Sequence, residues 1–181
     1  MAGLNDILKN LPIDEIAGKL GVDPDTAKAG IIEGGQTILS GLHKETETEQ
    51  GAQSLQEALK KHAGEKKVAS VDEIDEEDGK NILGHIFGGK QDEVASTLTA
   101  SDKTTGGIDF GKLLPLLAPI IMNFVANQKS EKEKESGGGF DLGGLLGGIL
   151  GGGSTQGGSR SGGIDLGSIG DLIGGFFGGK R

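Results

Sequence analysis

The side chains in this chain best able to carry protons or hold a metal are three histidines, His43, His62 and His85. No two lie at the short spacing of a metal-ligand pair, and the absence of cysteine rules out a thiolate site. His85, in ILGHIFGG, sits among apolar residues. A lone histidine there reads as a partly buried, hydrogen-bonded core group rather than as a base or ligand. The acidic run Asp72-Glu73-Ile74-Asp75-Glu76-Glu77-Asp78-Gly79 invites a calcium reading. Setting Gly79 at the turn glycine of such a loop puts Ile74 at the first ligand position and His85 where a bidentate glutamate is required, so the pattern fails. A solvated acidic loop or frayed turn is the expectation. No glycine-rich stretch has the GxxxxGK[ST] order that cradles phosphate, and no Ser/His/Asp set follows from spacing. The sequence thus predicts no enzyme, no cofactor and no metal.

A second candidate chemistry is nucleic-acid recognition. Ile16-Ala17, Leu20-Gly21-Val22 and Thr26-Ala27 form a helix-turn-helix phrase, which would put residues 24–32 in a major groove. Lys28 is the one cation of that segment, against Asp23, Asp25 and Glu33 around it. Neutralising phosphates supplies most non-specific affinity, and the chain carries a net charge of −9. A tight helix–helix corner is the favoured reading, with a DNA-binding regulator as the alternative. The same acidity disfavours anionic lipid. The N-terminus, MAGLNDILKNLP, lacks the basic and long apolar parts of a secretory signal, and with no cysteine the expected compartment is the cytoplasm.

The elements that must position these residues read as helices. Leu4, Ile7, Leu8 and Leu11 follow helical spacing up to Pro12; Ile13, Ile16, Ala17 and Leu20 mark a second helix closed by Gly21. Asp23-Pro24 opens a third, a capping side chain followed by proline at the first helical position. Its apolar face is Ala27, Ile31, Ile38 and Leu42; Gly30, Gly34 and Gly35 interrupt it, explained either by close helix approach or by a bend. Further helices are expected over Ala52–His62, Ile82–Phe87 and around Val94 and Leu98. The most apolar run is Ile108–Val125. It is apolar on nearly every face, its uninterrupted part is too short for the roughly 20 residues of a membrane span, and Pro115 and Pro119 lie inside it. A kinked or broken helix at the centre of a small bundle is the expectation, with insertion into a membrane surface or a partner groove the disfavoured alternative. No segment alternates with period two, so the fold class is all-α.

The expected organisation is a helical domain over 1–128, a charged linker over 129–136 whose opposite-charge pairs allow it to extend the preceding helix, and a glycine-rich tail over 137–181. The tail holds two apolar modules, FDLGGLLGGILGG and IDLGSIGDLIGGFFGG, joined by STQGGSRSGG. Both open on a phrase like Ile108-Asp109-Phe110-Gly111. Their glycines argue against helices that stand alone in water, so the tail is expected to stay disordered until it meets a partner. The partner-binding residues predicted are Phe140, Leu142, Leu145, Leu146, Ile149 and Leu150 in the first module. In the second they are Ile164, Leu166, Ile169, Leu172, Ile173, Phe176 and Phe177. The function expected is therefore a non-catalytic interaction or scaffold protein, whose modules bind a protein partner or one another.

LNDILKNLPIDEIAGKLGVDPDTAKAGI, NILGHIFGGKQDEVASTL and GKLLPLLAPIIM together resemble a bacterial domain of unknown function, number 937, with more distant YidB-like relatives, over residues 4–127. The resemblance implies a small all-helical domain, often with a Gly/Leu tail, and no activity. Gly34-Gly35 departs from the larger residues expected of relatives there. A shorter resemblance links Ile164-Asp165-Leu166-Gly167-Ser168-Ile169 to the peptides that load cargo into encapsulin shells, implying a shell-docking cargo protein as a further alternative.

Overall fold

A computed structural model describes residues 3–64, 70–101, 107–136 and 141–151. Among them are eight α-helices, one 3-10 turn and no strand, as the all-α reading expects. The helices are α1 (Leu4–Lys9), α2 (Ile13–Leu20), α3 (Pro24–Glu45), α4 (Glu49–His62), α5 (Glu76–Ile86), α6 (Gln91–Thr99), α7 (Phe110–Ser136) and α8 (Leu142–Leu150). The 3-10 turn, Val71–Glu73, precedes α5.

Local signals set the boundaries. Gly21 closes α2 in the left-handed region at φ 71°, with the Val22 N–H bonding back to the Ala17 carbonyl. At the start of α3 the Asp23 carboxylate accepts from the Thr26 N–H at 3.0 Å and from the Thr26 hydroxyl. The hydroxyl first, and the backbone N–H with it, hold the Asp23 carboxyl below the usual carboxylate range. A folded value below the unfolded one means this cap contributes fully above an unfolded carboxylate pKa of about 3.9, and is lost as pH falls through the lower folded value. Asp23→Asn keeps a capping oxygen but does not titrate. Urea midpoints measured from pH 6 down to pH 3 should therefore fall less steeply for Asp23→Asn than for the parent chain; identical slopes would refute the cap's role.

The centre of the molecule is α7. Helices α2, α3, α4, α5, α6 and α8 all pack on it. Leu113, Leu114, Leu116, Leu117, Ile121 and Val125 are each at most 1 % exposed. Between Phe110 and Lys134 this helix is long and apolar enough to cross a membrane, yet 72 % of its most apolar window is buried inside the bundle. The helix is continuous through Pro115 and Pro119. Proline has no N–H, so Pro119 leaves the Pro115 carbonyl without its helical donor. Gly79 of α5 lies against that oxygen: a Cβ built on Gly79 would stand 1.9 Å from it. The Gly79 Cα is then within about 3.4 Å of the oxygen, in range of a Cα–H···O contact. The two helices touch backbone to backbone where one has lost a hydrogen bond.

The glycines of α3 have the same origin. A Cβ on Gly41 would lie 2.2 Å from Ile86 Cγ2, one on Gly34 3.1 Å from Leu117 Cδ1, and one on Gly35 2.9 Å from Leu4 Cδ1. Close approach, rather than a bend, offsets the helix propensity given up, about 1 kcal/mol per glycine against alanine. This also accounts for Gly34-Gly35, where larger side chains would push α7 and α1 away.

Residues 129–136 extend the preceding helix, as their charge pattern allows: α7 runs through them, with Lys129 Nζ paired to Glu133 Oε1 at 3.4 Å one turn on. One expectation needs correction. The chain beyond 137 is not disordered throughout. Its first module folds as α8 and joins the core, with Leu142, Leu145, Leu146 and Ile149 all buried. Four buried aliphatic side chains, at about 1.5–3 kcal/mol each, offset the helix propensity given up at Gly143, Gly144, Gly147 and Gly148, roughly 1 kcal/mol each.

Candidate functional site

The sequence directs attention to the glycine-rich modules, and the structure places the first of them in a groove. Gly143 and Gly147 show how α8 lies. A Cβ on Gly143 would be 3.1 Å from Thr46 Oγ1, and one on Gly147 3.7 Å from His43 Nε2. Moving forward along α8 moves backward along α3, so the two helices are antiparallel over the last turn of α3. Asp141 precedes the first turn, its carbonyl accepting from the Leu145 N–H at 3.1 Å. Spacing of i, i+3, i+4 and i+7 puts Leu142, Leu145, Leu146 and Ile149 on one face, toward α3 and α7. Leu146 is 0 % exposed, Leu150 is half-buried at the margin, and Gly144 and Gly148 face outward.

Of the predicted partner-binding residues, Leu142, Leu145, Leu146 and Ile149 are buried in the chain's own core, in the helix that packs on α3 and α7. Phe140 and the second-module residues Ile164, Leu166, Ile169, Leu172, Ile173, Phe176 and Phe177 lie outside the described residues, as does the encapsulin-like phrase.

The histidines also sit differently from expectation. His85, read as a core group, is exposed on the last turn of α5, whereas His62 is the buried one, at 8 % exposure. The signal was present: His62 follows Leu55 by seven residues and Leu59 by three, and so falls on the buried face of α4. Its Nε2 stands 3.5 Å from Asp78 Oδ2, an ion pair when the ring is protonated. Its carbonyl, in the last turn of α4, accepts from buried Asn123 Nδ2 at 3.2 Å. Asn123 is a polar residue inside the apolar run, and its task is to satisfy that helix end. Asn123→Ala should cost about 1–3 kcal/mol by leaving a buried carbonyl without this donor. Chemical denaturation checks this, and a loss under about 0.5 kcal/mol would show that the carbonyl finds another donor.

His62, His85 and Asp78 line one cleft of about 530 Å³ between α3, α4, α5 and α7, with Leu55, Ile82 and Met122 among its apolar walls. The acidic run next to it is structural. Asp75 caps α5 by accepting from the Glu77 and Asp78 N–H groups, both at 3.0 Å, and Glu76, Glu77 and Asp78 fill the first turn, where negative charge suits the helix dipole. Glu15 holds the preceding turn through Ser70 Oγ at 3.0 Å and the Val71 N–H at 2.9 Å. No group of three or more potential metal ligands is found among the described residues. On the corner of α2 and α3, Ala27, Gly30 and Ile31 are buried, and the outward positions are Asp25, Lys28 and Ala29.

Against known proteins, the chain matches one family model, described as "Bacterial protein of unknown function (DUF937)", over residues 3–128. No curated protein and no solved structure matches it.

Proposed function

The chain belongs to the DUF937 family of bacterial proteins, whose description assigns no activity, and from that premise we propose that it is a non-catalytic interaction protein, a helical head that binds short glycine–leucine modules. The observation that carries this reading is α8. A stretch too rich in glycine to be a stable helix alone is one when its four apolar side chains enter the groove on α3 and α7. In the described residues the groove holds the first module, while the sequence carries two. The apolar residues of the second module are what a protein partner, or another copy, takes up. The reading places the protein in the cytoplasm and needs no cofactor.

Sedimentation of the full chain against a chain ending at Gly151 tests it. Mass should rise with concentration for the full chain and stay monomeric for the shorter one, with the helical circular dichroism of the head retained in both. Equal sedimentation of the two would remove self-association from the proposal.

A second reading rests on the cleft at His62, Asp78 and His85, whose histidine–carboxylate pair is suited to proton transfer on a small ligand. Histidine ring NMR signals monitored against a panel of small acids and amines would support it by shifting both rings together; unshifted rings would dismiss it.

A further inference from the structure

The rule by which α8 fits its groove can be applied to the rest of the chain. Set against Asp141–Gly152 with a shift of 27 residues, Ser168–Gly179 aligns without a gap, six of the twelve residues being identical. The four buried residues Leu142, Leu145, Leu146 and Ile149 correspond to Ile169, Leu172, Ile173 and Phe176, all apolar. Gly143 and Gly147, where α8 passes Thr46 and His43, correspond to Gly170 and Gly174. Half-buried Leu150 corresponds to Phe177. Asp141, ahead of the first turn, corresponds to Ser168, another residue type favoured at a helix start. The largest change, Gly144 to Asp171, falls on an outward position in the first turn, where an acid suits the helix dipole. Gly170 thus stands at the tighter of the two crossings, the one against Thr46, and the four-residue apolar face goes with it.

We propose that residues 168–179 of the same chain are an alternate occupant of the α3 groove, exchanging with α8, so that the protein has two docked states and exposes a different module in each. The proposal rests on the reading of α8 as a docked module and adds the identity of its competitor. The chain can make the exchange without a second copy. Once α8 leaves, residues 137–167 connect the end of α7 to the incoming module, and that length extended covers on the order of 100 Å. A tether of this kind holds its module at roughly millimolar effective concentration, well above a second copy at micromolar concentration. Each state offers the outside a different sequence: the module with Phe176 and Phe177 while α8 is seated, the leucine-rich one when it is not.

The chain has no cysteine, so cysteine pairs can be placed in the full-length protein without background. His43→Cys with Gly147→Cys reports α8 in the groove, and His43→Cys with Gly174→Cys reports its competitor, each read with a short bismaleimide as an internal cross-link. Leu146→Asp, which puts a charge at a fully buried site, should diminish the first link and raise the second several-fold. Adding Ile173→Asp should return the second link to background. Leu146→Ala repeats the experiment with a milder change, and circular dichroism confirms that the head stays folded. Failure of the first link in the parent chain would overturn α8 docking, and with it the reading on which the proposal rests. A strong first link, with no rise of the second in either variant, would overturn the exchange alone. A second link that forms only between chains, and grows with concentration, would replace the internal competitor by a second copy.

Discussion

Gly79→Ala should destabilise the head by about 3 kcal/mol or more, the largest loss expected from the addition of one methyl group here. The added Cβ would stand 1.9 Å from the Pro115 carbonyl oxygen and also meet the Pro115 carbonyl carbon and Cα. These are backbone atoms of the central helix, so no rotamer change relieves the collision. Either α5 lifts off α7 by more than an ångström along its length, or α7 bends. The better helix propensity of alanine, about 1 kcal/mol, offsets only part of this. Gly84→Ala is the control on the same helix: nothing lies within 4 Å of a Cβ there, and the chain should gain about 0.5–1 kcal/mol. Urea unfolding followed by far-ultraviolet circular dichroism separates the two. Equal midpoints for them would mean that the backbone contact between α5 and α7 is absent in solution.

Phe110→Ala should cost about 3–5 kcal/mol, the usual range for removing a wholly buried aromatic ring. The ring is 0 % exposed, and its Cε1 lies 3.5 Å from where a Cβ on Gly34 would stand, so it covers the small-residue face of α3. The same residue begins α7, and its N–H donates to Thr99 Oγ1 at 3.2 Å, linking the end of α6 to the start of the central helix. Phe110→Leu keeps most of the contact and the N–H, so its loss should be well under half that of alanine. Thermal and urea unfolding of the three proteins would show this order; a loss below about 1.5 kcal/mol for alanine would mean the site collapses around the missing ring.

These two residues mark where the sequence is readable and where it is not. Helix periods, the Asp23-Pro24 start, the Gly21 stop and the buried central run follow from neighbours within a few positions, and all are found in the structure. The reasons for Gly41 and Gly79 lie in Ile86 and Pro115, tens of residues away, and no local pattern distinguishes a glycine that makes room from one that weakens a helix. The two prolines suggested a break in α7 because their cost was set against an isolated helix rather than one whose orphaned carbonyl meets a neighbouring Cα. The fate of Leu142–Leu150 was hidden for a related reason. Propensity counted its glycines, but the groove that rewards its leucines exists only once α3 and α7 are side by side. His85 reads as a core group in the sequence because the apolar residues around it occupy faces of α5 that the imidazole itself does not share.

The placing of α7 also governs when the protein can become itself. Every earlier helix from α2 to α6 rests on a segment that the ribosome makes after all of them. At synthesis rates of about 5–20 residues per second, roughly two to seven seconds separate the making of residue 101 from that of residue 136. Through that interval the nascent chain holds six short helices' worth of oily faces with no spine to gather them. Its birth depends on keeping those faces apart until the spine arrives, and a version released early, ending at residue 101, should be a client of chaperones rather than a smaller protein.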